Sequence, residues 1–323
     1  MERRDFLKIF SAASVAAMSA QMAIRSNISQ LPTPVLSNIY EDIDTNALEL
    51  AKSIQYMTTP APDSGEILRA FARQGKAVLA DVDNMPNYLQ KMEDFENSHY
   101  EDVFLAPSQN ALLASTFRRL DRVQNLVGHG NFNVLSFDDM LKYSRRYSSV
   151  GEFPVGEKDF LEDLFSENAH RYGFFGEKVI MELTSKVAPR EVKKIPYTGH
   201  FLYRGESEQL YRQVRRDLGS SIVLTSGIRS VVKQTHLFLA KTIQSKGNLS
   251  RASRSLAPPG HSYHGIGDFD VGKVGFGVKN FTADFASTEE FKRLVDLGYV
   301  GMRYPLHNLL GVRYEPWHIK VMT

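Results

Sequence analysis

Two histidines and two aspartates crowd into one glycine-punctuated stretch, Pro258-Pro259-Gly260-His261-Ser262-Tyr263-His264-Gly265-Ile266-Gly267-Asp268-Phe269-Asp270. The glycines permit tight turns. Asp268 and Asp270 are two apart, so on a strand both carboxylates point to one face. His and Asp together are good ligands for a borderline metal such as zinc. Taken alone, the stretch reads equally as a polar loop with caps and a structural carboxylate pair. A second segment, Tyr314-Glu315-Pro316-Trp317-His318, sets a glutamate three residues before a histidine, with a proline between them. A carboxylate held there can act as a general base beside a metal-binding imidazole. A third, Ser226-Gly227-Ile228-Arg229-Ser230, is followed by Gln234 one helical turn on. An arginine on a strand-to-helix turn aims a fixed cationic fork at a carbonyl or carboxylate. Cysteine is absent. That excludes disulfides, Cys-ligated zinc, iron–sulfur clusters and a thiol nucleophile, and leaves His, Asp, Glu and water as metal donors.

These segments need elements to position them. In the C-terminal part the pattern predicts a helix over 206–218, a buried strand over 221–225, a helix over about 230–244 and a last helix over 288–297. Short strands are expected near 299–303 and 312–321. Helix and strand interleave, but the strands are short and turn-linked, so the fold class expected is α+β. Before residue 188 the dominant period is helical. Leu113, Phe117 and Leu120 share one face, and Ser136 with Asp139 gives a capping start. Gly156 opens a further helix carrying Phe160, Leu161, Leu164 and Phe165, which the 171–176 stretch should end with glycine turn chemistry. His99, His129 and His170 lack ligand spacing and read as surface or capping residues.

In series, Ser-Gly-x-Arg-Ser with its following Gln, then Pro-Gly-x-Ser-x-His-x-x-Gly with an Asp, then Glu-Pro-Trp-His, resemble the zinc D-alanyl-D-alanine carboxypeptidases of the VanY type. The resemblance spans residues 222–321, about a third of the chain, and Tyr299-Val300-Gly301-Met302-Arg303-Tyr304-Pro305 resembles the segment that precedes the last motif. It implies a small, hedgehog-like zinc D,D-peptidase domain at the C-terminus, preceded by a mainly α-helical domain. It implies that His264, Asp270 and His318 bind zinc. Glu315 would be general base and then acid, and Arg229 would polarise the scissile carbonyl, with Ser262 and Gln234 orienting substrate. The sequence departs from the family at one point. The family's aspartate follows its histidine by seven residues, a position held here by Val271, whereas Asp270 lies at six, as after a one-residue deletion behind Gly267. The alternative pairs His261 with Asp268, but then His264 stands where the family has glycine. Asp270 is the expected ligand, and Asp268 a neighbour that tunes the metal. The basic stretch 244–256 (Lys246, Arg251, Arg254) is expected to reshape the substrate groove.

The function this implies is zinc-dependent hydrolysis next to D-amino acids in peptidoglycan peptide stems. The alternatives are a non-catalytic peptidoglycan-binding protein, or an endopeptidase or L,D-carboxypeptidase of the same family. The amino terminus, Arg3-Arg4-Asp5-Phe6-Leu7-Lys8 followed by a modestly apolar run, resembles a twin-arginine signal. The expected organisation is a signal segment at 1–30, a linker at 31–40, a helical domain of unknown role at 41–187 and the zinc peptidase domain at 188–323. Export to the periplasm or cell envelope through the twin-arginine machinery follows. Thirty-nine Lys and Arg against 37 Asp and Glu leave a net charge of +2, which gives no footprint for nucleic acid. No stable protein partner is expected.

Overall fold

A computed structural model describes residues 85–306 and 308–321. The expected signal segment, the expected linker and residues 41–84 of the expected helical domain lie outside the described residues. The first elements are α1 (Met85–Glu93), α2 (Asn110–Val127), a short α3 (His129–Phe132), α4 (Phe137–Arg146) and α5 (Val155–Ser166). Leu113, Phe117, Leu120 and Val123 of α2 are buried along one face, as their spacing requires. Ser136 caps α4 by accepting from Asp139 N at 3.2 Å, satisfying one of the helix's free donors. α5 stops at Ser166, earlier than expected: Asn168 caps a separate 3-10 turn, Ala169–Tyr172, and left-handed Gly173 closes that turn instead.

Next come a hairpin, β1 (Val192–Lys194) and β2 (Phe201–Tyr203), then α6 (Glu206–Leu218), β3 (Ile222–Ser226), α7 (Val231–Gln244), α8 (Leu249–Ser255), β4 (Phe269–Lys273), α9 (Glu289–Asp296) and β5 (His318–Ile319). β3, β4 and β5 form an antiparallel sheet in that order. The architecture is α+β, as the interleaving implied. The strand expected over 312–321 contracts to His318–Ile319, and the one near 299–303 to a single bridge between Met302 and Ile319. Pro316 has no N–H to give a ladder. His318 N turns back to Glu315 O at 3.2 Å, so the chain is still turning until His318.

One apolar cluster joins Leu113, Leu120, Phe132, Met140 and Phe160 to Phe238 and Leu239 of α7 and to Leu249 and Ala252 of α8. Its core therefore crosses residue 188. A second cluster packs Tyr211, Val214 and Leu218 of α6 and Phe291 and Leu294 of α9 against Ile222, Leu224, Phe269, Val271 and Ile319 of the sheet. Strand alternation sends Phe269 and Val271 into that core and turns Asp270, between them, to the opposite face. α7 thus sits between the helical layer and the site.

In the basic stretch 244–256, Arg251 and Arg254 are spent on pairs within the fold. Asn248 caps α8, and Arg254 donates to both oxygens of Asp102, at 2.8 and 3.0 Å, with both side chains buried. Arg251 pairs with Glu96 at 2.9 Å. Bidentate, desolvated pairs of this kind fix geometry; here they pin α8 to the segment after α1. Among the described residues, no helix is long and apolar enough to cross a membrane.

Candidate metal centre

The sheet register assembles the site on one rung. Ser226 of β3 stands opposite Asp270 of β4, and Asp270 opposite His318 of β5. A bulge between Leu224 and Ser226 lets the chain leave β3 towards Arg229. His264 arrives separately, on a 3-10 turn Tyr263–Gly265. That turn is held by Tyr203 Oη donating to Gly265 O at 3.0 Å and Ser207 Oγ donating to Gly267 O at 2.8 Å.

Among the described residues, His264, Asp270 and His318 are the one group of three potential ligands, each offering an atom within 4.8 Å of the others. All three are buried. His264 Nε2 and His318 Nδ1 each lie 3.2 Å from Asp270 Oδ1. That oxygen is buried and has no hydrogen-bond partner, an arrangement that would be costly without a ligand to face. The other ring nitrogens are occupied. His264 Nδ1 bonds Gly227 O at 2.8 Å, and His318 Nε2 bonds Asp268 Oδ2 at 3.0 Å. Outer partners of this kind fix ring orientation and tautomer, so that the inner nitrogens present lone pairs. Two nitrogens and one carboxylate oxygen suit zinc, and three protein donors leave room for a further ligand.

Asp270, and not Asp268, is the aspartate that joins the two histidines in the cluster. Asp268 is buried behind His318, with Oδ2 also accepting from Arg303 Nε at 2.9 Å and Oδ1 from Val321 N at 2.9 Å. His261 points elsewhere; its Nδ1 lies 3.4 Å from Gly176 O and its ring stands edge-on to Phe174.

Electrostatics divides the ligands. Burial would raise Asp270, but the charges of His264 and Arg229 outweigh it and hold the carboxyl well below its usual range. Burial and then the Arg229 charge push His264 down to about 4. For His318 burial acts downward, yet its bond to Asp268 and the negative charges of Asp270 and Asp268 win and raise it to about 9. Glu315 is drawn up to about 7, chiefly by burial. Its Oε2 lies 3.8 Å from His318 Nδ1, and its Oε1 3.9 Å from Arg313 Nε.

The remaining expected residues take up different places. Arg229 does not stand free. Nε donates to Ser226 Oγ at 2.9 Å and Nη2 to Asp270 Oδ2 at 2.7 Å, and Nη1 takes part in neither contact. Ser262 is buried and begins the turn that carries His264. Gln234 is 1% exposed and donates to Ala257 O, so it braces the approach to that turn from within. His99, His129 and His170 stay outside the cluster. Arg303, which anchors Asp268, carries no role in the sequence reading, although its charge inside Tyr299–Pro305 was the available signal.

The fold and site together define an α+β domain with a buried His2Asp cluster and an adjacent glutamate, the arrangement of a hydrolytic metal centre. The profile of the family "VanY: D-alanyl-D-alanine carboxypeptidase" matches residues 204–323, so this C-terminal part is similar to that family. No curated protein matches the chain. A solved structure of the vancomycin resistance D,D-pentapeptidase VanY from a VanB-type resistance cassette, a Glu-to-Ala mutant in complex with Zn(II), is 23% identical; it covers 41% of this chain and 79% of its own, with a TM-score of 0.33. VanYB in complex with D-alanine-D-alanine is 21% identical over 46% of this chain and 85% of its own, with a TM-score of 0.36. The LdcB LD-carboxypeptidase is 22% identical over 42% of this chain and 69% of its own, with a TM-score of 0.35.

Proposed function

We propose that the protein is a zinc peptidase that hydrolyses the peptide bond preceding a terminal D-amino acid in peptidoglycan peptide stems. The observation that carries this reading is the unpartnered Asp270 Oδ1 between His264 Nε2 and His318 Nδ1, with Glu315 alongside. His264, Asp270 and His318 would hold the zinc. When bound, zinc supplies Lewis-acid polarisation and a nucleophile at neutral pH. Glu315 takes the proton from the attacking water and passes it to the leaving amine. Arg229 keeps Asp270 aligned through Nη2, and Nη1 is the donor left to meet the carbonyl oxygen as negative charge develops on it. Ser262 and Gln234 serve by shaping the loop that delivers His264.

Zinc-loaded protein incubated with defined muropeptides should release a single terminal alanine from pentapeptide stems, read as a mass loss. Cleavage of cross-linked dimers alone would reassign it as an endopeptidase, and cleavage of tetrapeptides alone as an L,D-carboxypeptidase. No product from any stem would make it a binding protein.

We also propose that the protein reaches the periplasm or cell envelope by twin-arginine export, on the strength of Arg3 and Arg4 ahead of Phe6-Leu7-Lys8. That route carries folded proteins, so the metal can be loaded before export. Replacing Arg3→Lys and Arg4→Lys together should retain the protein in the cytoplasm on fractionation. Unchanged export would point to the general secretory route.

A further inference from the structure

His200 lies in the turn of the β1–β2 hairpin, ahead of the family match at 204–323, and the chemistry above does not use it. The backbone sets this turn directly against the site. Ile228 N donates to Phe201 O at 2.8 Å. The approach is close enough that a Cβ at Gly227 would stand 2.0 Å from the same oxygen. Gly227 in turn supplies the carbonyl that orients His264. One residue therefore touches both the hairpin and a metal ligand.

Asn133, which follows α3, locks the turn from the helical side. Its backbone carbonyl accepts from Ser230 N at 2.8 Å, at the start of α7. Its carboxamide nitrogen lies 3.5 Å from Gly199 O and 3.3 Å from His200 Nδ1. A carboxamide nitrogen only donates, so Nδ1 accepts and the ring proton sits on Nε2. Burial first, and then the charges of Arg229 and Lys233, push His200 down to about 4, and Asp270 and His264 also act on the ring. At neutral pH it is therefore an uncharged imidazole with a fixed Nε2–H, within the field of two cations. A fixed N–H donor near the Lys233 ammonium suits an anionic oxygen, and a peptide stem brings one at its C-terminal carboxylate.

We propose that His200 contacts the substrate, donating from Nε2 to the terminal carboxylate of the peptide stem, with Asn133 as the positioning residue that fixes its tautomer. The proposal rests on the zinc peptidase reading. It also gives the helical half a role, which is to hold the hairpin against the turn that carries Arg229.

The test uses zinc-loaded Glu315→Gln protein, which should bind without turnover. Calorimetry would compare it with the Glu315→Gln, His200→Ala double variant against two ligands. One is a pentapeptide ending in D-Ala-D-Ala, the other the same peptide with a C-terminal amide. Loss of a hydrogen bond to a charged group should weaken binding of the acid by about 10- to 100-fold and leave binding of the amide unchanged. In the active enzyme, Asn133→Ala should raise KM with kcat retained. Equal affinity of both proteins for the acid overturns the role of His200 and leaves the peptidase reading standing. An equal loss on acid and amide also overturns it, by showing a merely structural residue. If the parent variant binds neither peptide, the peptidase reading fails and this inference fails with it.

Discussion

Glu315→Gln is expected to keep its zinc and its melting temperature while losing activity by about 100- to 10,000-fold, the contribution typical of a positioned general base. The substitution is nearly isosteric, and the main-chain anchors of the residue are untouched: Glu315 N donates to Tyr304 O at 3.1 Å, and Glu315 O accepts from His318 N at 3.2 Å. The carboxylate itself stands back from its charged neighbours, His318 and Arg313, at 3.8 and 3.9 Å. What the amide cannot do is take up a proton. The buried carboxyl can, and burial sets it near 7, where taking and giving a proton are about equally easy. Steady-state hydrolysis read beside zinc content separates the cases. Near-full turnover removes Glu315 from the mechanism, and loss of zinc would show that it acts as a ligand.

The cluster of His264, Asp270 and His318 was legible in residue type and order, but spacing alone did not settle its aspartate. Val271 occupies the family's aspartate position, and spacing alone left both Asp268 and Asp270 in play. Strand pairing separates them: the rung through Ser226, Asp270 and His318 places one carboxylate in the cluster, and Arg303 with Val321 N holds the other behind His318. Arg229 was recognised as a cationic fork, yet local sequence cannot say which oxygen the fork meets. Tertiary placement gives two of its three nitrogens to Ser226 and Asp270. The pairing of the basic residues of α8 was hidden for the same reason. Their partners, Glu96 and Asp102, lie some 150 residues earlier in the chain, beyond any periodic pattern. The β1–β2 strands have three residues each, too few for a period of two to register. They also carry His200, which lies in the turn between them.

Asp270→Ala should abolish stable zinc binding, whereas Asp268→Ala should retain the metal with about 10- to 100-fold weaker affinity, the usual cost of losing an outer partner. Removing Asp270 deletes the donor oxygen between the two imidazoles and also strips Arg229 of its partner, leaving a mostly buried guanidinium uncompensated. Because that second effect could disturb the fold, Asp270→Asn belongs beside it. The amide keeps the shape and a carbonyl acceptor for Arg229 while removing the anionic donor, so it should lose zinc with a smaller drop in melting temperature than Asp270→Ala. Asp268 has no oxygen to spare for a metal, since His318, Arg303 and Val321 N use both. Its loss would free the His318 ring to rotate and change tautomer, which weakens a ligand without deleting one. His264→Ala should fall with Asp270→Ala, and His261→Ala, whose ring lies against Gly176 O and Phe174, should keep its zinc. Zinc content after dialysis ranks the variants. If Asp268→Ala and His261→Ala empty the site while Asp270→Asn and His264→Ala stay loaded, the metal is held one motif step away from the cluster of His264, Asp270 and His318.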